Sequence, residues 1–139
     1  MFRVKYLAAF GLLVVILSGL GCSNINIPFL KTEEPQAPAY LNFPDVLIPP
    51  ELKVDRDRSF VFETGGFRAG TLILKGYVDP DSVADFFKTK MPNDGWMLKS
   101  IFRHPKTVLL FEKAGKSCII TIEDGTVWTY VEIWLAPQV

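Results

Sequence analysis

The chain has 139 residues, 49% of them hydrophobic and 22% charged, with fifteen basic side chains against fifteen acidic ones. That length fits one small domain, and the apolar content excludes a disordered polymer. No basic excess is left to neutralise a nucleic-acid backbone, and two cysteines with one histidine cannot furnish a four-ligand zinc site. Neither nucleic acid, metal nor cofactor is expected, and the sequence says more about location, tether and fold than about molecular activity.

At the N-terminus Arg3 and Lys5 stand in a short stretch without an acid. Residues 7–17 are then almost unbroken apolar sequence, and Ser18-Gly19-Leu20-Gly21-Cys22 follows. These are the parts of a secretory signal peptide. The apolar run over residues 6–20 falls short of the roughly 20 residues that a membrane-spanning helix needs. The arrangement resembles the signal of bacterial lipoproteins, whose lipobox ends in a cysteine that is diacylated before cleavage. Gly21-Cys22 fits its last two positions, Gly19 stands where leucine is usual, and Leu20 stands where a small residue is commoner. The resemblance implies that residues 1–21 are removed, that Cys22 becomes an acylated N-terminus, and that its lipid holds the chain in the membrane. The competing expectation is an ordinary secreted protein in which Cys22 is a disulfide partner. Ser23, by resemblance to the enterobacterial sorting rule, implies the periplasmic face of the outer membrane. Loss of Arg3 and Lys5 leaves 13 basic against 15 acidic side chains, so anionic headgroups add nothing to the attachment.

Residues 22–50 hold six of the ten prolines, a density that prevents helix and favours a semi-rigid polyproline II spacer. Residues 40–48 are too apolar for a purely solvated tether. They are expected to lie against the domain, over a sheet edge or a sheet face. The folded domain is assigned to residues 51–139.

A short strand is expected at residues 59–63, stopped by Gly65-Gly66, which reads as a turn because no phosphate-binding pattern accompanies it. A longer strand covers residues 68–78, where Gly70 and Gly76 mark a bulge or a close backbone approach. Asp79 is a good N-cap, Pro80 fits the first helical position, and Asp81 suits the positive end of the macrodipole. Val83, Phe86, Phe87 and Met91 recur at helical spacing, Asp85 can pair with Lys88, and Pro92 with Asn93-Asp94-Gly95 ends the helix. Strands follow at residues 96–103, with Trp96, Leu98 and Phe102 as core candidates, and at 107–113 and 117–123. Asp124-Gly125 signals a tight hairpin into a last strand over residues 126–135. The sum is an α+β domain: one mainly antiparallel sheet of four to six strands with a single helix packed on one face, in the order β-β-α-β-β-β-β.

The last strand puts Val127, Thr129, Val131, Ile133 and Leu135 on one face and Trp128, Tyr130, Glu132 and Trp134 on the other. Neither face is clearly polar, and one helix covers only one. Either the segment 40–48 folds over the second face, or Trp128, Tyr130 and Trp134 form a docking surface for a partner.

Val83-Ala84-Asp85-Phe86-Phe87, Met91, Gly95-Trp96, Leu109-Leu110-Phe111-Glu112-Lys113 and Cys118-Ile119-Ile120 together resemble small domains of bacterial lipoproteins, over residues 67–135. That resemblance implies a fold and an envelope location and transfers no catalytic activity. The residues agree: His104 sits beside Pro105 in a turn with no carboxylate or nucleophile to work with, Cys118 reads as a buried hydrophobe, and Asp79, Asp81, Asp94 and Asp124 occupy caps and turns. The expected function is that of a non-enzymatic, membrane-anchored periplasmic module that serves another envelope protein. The alternative is a carrier of a small apolar ligand or lipid held between helix and sheet.

Overall fold

The structure is a computed structural model that describes residues 39–138. The signal segment, Cys22, Ser23 and the first part of the proline-rich linker lie outside the described residues.

Two short strands, β1 (Ala39–Tyr40) and β2 (Leu47–Ile48), pair as a small hairpin. The main sheet contains β3 (Lys53–Val54), β4 (Phe60–Thr64), β5 (Phe67–Gly76), β6 (Met97–Arg103), β7 (Thr107–Lys113), β8 (Lys116–Asp124) and β9 (Thr129–Pro137), and α1 (Pro80–Lys90) joins β5 to β6. The spatial order is β3-β5-β9-β8-β7-β6, with β4 pairing the other half of the β5 edge that β3 uses. Every described pairing is antiparallel. The architecture is therefore α+β, a mainly antiparallel open sheet with one α-helix among the described residues. Two-residue β3 brings the strands of that sheet to seven, one more than the upper limit of the four to six expected from the sequence pattern.

The local chemistry explains the elements. Asp79 caps α1 by accepting a hydrogen bond from the Ser82 N–H at 2.8 Å, with Pro80 in the first turn. The chain continues through a 3-10 turn (Met91–Asp94) and stops at Gly95 in the left-handed region. Val83, Ala84 and Phe87 are buried beneath the helix, and Asp85 and Lys88 pair on its outer side. In β9 the side chains alternate: Thr129, Val131, Ile133 and Leu135 are buried, while Tyr130 and Trp134 face out. Ladder register extends this inner set across the sheet as Leu72–Ile133–Ile120–Leu109 and as Leu135–Cys118–Phe111.

The segment after β1 behaves differently from a linker. Phe43, Val46, Ile48 and Leu52 are each at most 4% exposed and belong to the same core as Val83, Phe87, Met91 and Trp96. They form a strap lying on the helix side of the sheet. The segment 40–48 thus covers a sheet face as anticipated, but the face already occupied by the helix and not the second one. Two glycines mark where backbones press together. A Cβ on Gly76 would meet the Glu51 carbonyl oxygen at 2.3 Å, where the strap crosses β5. One on Gly70, at φ +143°, would meet the Phe60 carbonyl oxygen at 2.1 Å.

Leu98 and Phe102, core candidates by pattern, are exposed in the structure, while Trp96 is buried. The physical reason is position. Leu98 lies opposite Phe111 on the inner face, but at the edge strand β6, which pairs only with β7 among the described residues, whereas Phe102 lies opposite Val108 on the outer face, which neither the helix nor the strap covers. Val127 is likewise exposed, because β9 begins at Thr129 and residues 125–128 form a four-residue connection with the Gly125 N–H bonded to the Trp128 carbonyl.

If the strap is part of the core, Phe43→Ala costs about 3–5 kcal/mol, the range for a buried phenylalanine truncation. Urea denaturation measures it, and a loss under 1 kcal/mol would show a merely adsorbed strap.

Candidate functional site

The strap is fastened by an ionic and hydrogen-bonded cluster. The Trp96 indole N–H donates to the Asp45 carbonyl at 2.7 Å, and the Asp45 carboxylate oxygen Oδ2 accepts from Lys116 Nζ at 2.9 Å and Lys113 Nζ at 3.2 Å. Lys113 also lies over the Trp96 ring and Lys116 over that of Phe67. Burial alone would push the Asp45 carboxyl up, but the ammonium groups of Lys116 and Lys113 together hold it below its ordinary value of 3.8. Its other oxygen, Oδ1, is buried without a hydrogen-bond partner among the described residues. Cys118 is fully buried two residues from Lys116, and burial, reinforced by the Asp45 charge, pushes its thiol far above the usual range. A thiol held protonated in this way is a poor nucleophile. His104 is exposed in the turn between β6 and β7, joined to Pro105 by a cis peptide bond. The described carboxylates, histidine and cysteine nowhere gather into a group able to hold a metal ion. No helix among the described residues is long and apolar enough to cross a membrane.

The other side of the sheet is where large apolar groups meet solvent. Ladder register aligns Phe60–Thr71–Trp134–Ile119–Leu110 as one cross-strand row, and Ile73–Glu132–Thr121–Val108–Phe102 as the next. Within these rows Phe60 is 66% exposed, Phe102 62%, Trp134 50% and Ile119 40%. Phe62 packs beside Phe60 with ring centroids 5.7 Å apart. Tyr130 begins a third row between Lys75 and Glu123. Exposed apolar groups gathered on one face in this way make it the candidate interaction surface.

Of the three aromatic residues singled out from sequence, Tyr130 and Trp134 do share this outer face. Trp128 does not belong to it in the same way. It sits in the β8–β9 connection, edge-to-face with Tyr77 at 6.3 Å, at one end of the sheet. Phe60, Phe62, Phe102 and Ile119 were missed as surface residues, because their strands carry no polar alternation to announce an open face. The sheet pairing is what gathers them.

Charges frame the face. Lys106 pairs with Glu123 at 2.6 Å and Lys99 with Glu112 at 3.3 Å. Glu132 is half-buried between Tyr130 and Trp134 on β9, and no described residue pairs with it. Glu132 itself lines a shallow cleft of about 350 Å³, together with Arg58, Ile73, Lys106, Glu123 and Tyr130 among others.

Comparison of the chain with protein-family models, curated proteins and solved structures gives no match.

Because the carboxyl of Asp45 is depressed on folding, its pairing supports the fold above pH 3.8 and is lost as pH falls through the lower folded value. Asp45→Asn is expected to cost about 1–3 kcal/mol at pH 7. Stability of the wild type should fall more steeply toward acid, narrowing the gap. Parallel curves from pH 7 to pH 2 in chemical denaturation would contradict this.

Proposed function

We propose that this chain is a lipid-anchored protein of the bacterial envelope, held through Cys22 at the periplasmic face of the outer membrane. Its domain docks another envelope protein without catalysing a reaction. In this reading the longer strands keep the order β-β-α-β-β-β-β, and the helix and strap serve to build one closed core and leave the opposite face free. The observation that carries the reading is that open face, where Phe60, Phe102, Ile119, Tyr130 and Trp134 stand at least 38% exposed on a continuous ladder. Aromatic side chains with large exposed area and few rotatable bonds are the groups that anchor interfaces.

Docking on the face is favoured over strand addition at the β6 edge. The ladder there shifts register between Leu98 and Ser100, and Lys99 occupies the interruption. A bulge and a lysine are the devices by which edges resist further pairing. The space between helix and sheet is filled by Val83, Phe87, Met91, Trp96 and the strap residues Phe43 and Val46, which favours docking over carriage of an apolar ligand there.

Two outcomes test the reading. With radiolabelled palmitate, the wild type should take up label and Cys22→Ala should not, with precursor accumulating when signal peptidase II is inhibited. An unlabelled, normally cleaved wild type would make it a free secreted domain. Trp134→Ala should weaken co-purification of an envelope partner by about tenfold, the loss of a roughly 1.4 kcal/mol contact, with a melting temperature near that of the wild type. A cooperative loss of folding in that variant would instead place the ring in the core.

A further inference from the structure

Resting on that reading, the charge at the centre of the face narrows what can dock there. Glu132 stands in the second cross-strand row, between Ile73 on β5 and Thr121 on β8, with Tyr130 and Trp134 two residues to either side on the same face. It is half-buried and has no pairing cation among the described residues. The other acids of the face are already answered: Glu123 by Lys106 and Glu112 by Lys99.

A partner that covers this face removes the Glu132 carboxylate from water, and an unpaired buried carboxylate is severely penalised. Arg58 and Lys106 line the same cleft as Glu132 but neither forms an ion pair with it, and Lys106 is held by Glu123, so a partner that brings a positive charge to that spot is favoured. A second copy of this chain is a poor occupant. Two such faces packed with full overlap about a two-fold axis would bring the central Glu132 of each close to its mate, and like charges meeting in an interface are strongly disfavoured. A polybasic surface is also a poor occupant, because Arg58 and Lys75 stand unpaired at the margin of the same face and would repel it.

We propose that the occupant is a protein segment presenting one arginine among apolar residues, its guanidinium seated on Glu132 between the Tyr130 and Trp134 rings. Arginine fits better than lysine. Its planar fork matches a carboxylate in two parallel hydrogen bonds, and its flat face stacks on aromatic rings. The apolar neighbours of that arginine meet Ile119, Phe60 and Phe102, whose exposed area gives the contact its hydrophobic part.

The test uses the full chain in living bacteria, with a photo-crosslinking phenylalanine derivative replacing Trp134. The expected product is an adduct to another protein, mapped by mass spectrometry to within a few residues of an arginine. Glu132→Arg in the same chain should cut its yield by at least about tenfold, and changing the partner's arginine to glutamate should restore it. Glu132→Gln should cause a smaller loss, and Lys75→Glu none. Thermal melting of the variants is measured alongside, since an exposed-face substitution should leave it unchanged. An adduct whose yield is indifferent to Glu132→Arg, or which maps to a segment without a cation, overturns the arginine while leaving docking intact. An adduct of twice the chain's mass replaces the partner with a second copy and overturns it too. Absence of any adduct removes the docking reading itself, and the arginine with it.

Discussion

One geometric constraint governs this domain: its helix is too small for its sheet. Eleven residues of α1 make a rod about 16 Å long and about 10 Å wide. Six strand positions spaced about 4.8 Å apart, with strands near seven residues long, make a face of roughly 24 by 23 Å. The helix alone covers roughly a third of that area. Most of the remainder, short of the β6 edge, is closed by the strap, whose Phe43, Val46, Ile48 and Leu52 complete the inner core. The Asp45 cluster follows from this. An extended strap has few hydrogen bonds of its own, so its position is set by the Trp96 indole and the two lysines at the β7–β8 turn.

What was legible in the sequence is what local chemistry decides. The helix start needs only Asp79, Pro80 and Ser82, three neighbours, and its end needs Met91 through Gly95. The two-faced character of β9 needs only the alternation of Val131, Ile133 and Leu135 with Tyr130 and Trp134. Long-range pairing was not legible. The lysines that hold Asp45 lie 68 and 71 residues along the chain, and nothing in the composition of a proline-rich stretch names them. Leu98 and Phe102 have the pattern of core residues. Leu98 is exposed because β6 is an edge and Phe102 because it lies on the uncovered face, and both depend on sheet order and on what covers each face, about which periodicity carries no information. Trp128 fell on the wrong element for a related reason. Asp124-Gly125 promised a two-residue turn, and the four-residue connection moved the start of β9 past it.

With both covering elements on one side, the sheet becomes strongly polarised. The inner face is closed except along the β6 edge, where Leu98 and Ile101 stay exposed. The outer face keeps its aromatic groups in water, with charges disposed mainly around its margin and a single carboxylate near its middle. An arrangement in which the helix and strap took opposite faces would have left both only partly covered, with no single closed core. The exposed aromatic face is thus a by-product of how the inner core is completed, and substitutions that loosen the strap should be felt first in stability.

Cys118 gives the fold a clock. Its sulfur lies at the middle of the inner face with the thiol kept protonated, so oxidants in the surroundings meet it only when the sheet opens. The rate at which the thiol is lost is then scaled down by the fraction of time the domain stands open, so it depends on the opening equilibrium as well as on how oxidising the compartment is. An old population of molecules would carry, in the fraction of Cys118 that has been oxidised, a chemical record of the time the domain had spent open in its surroundings.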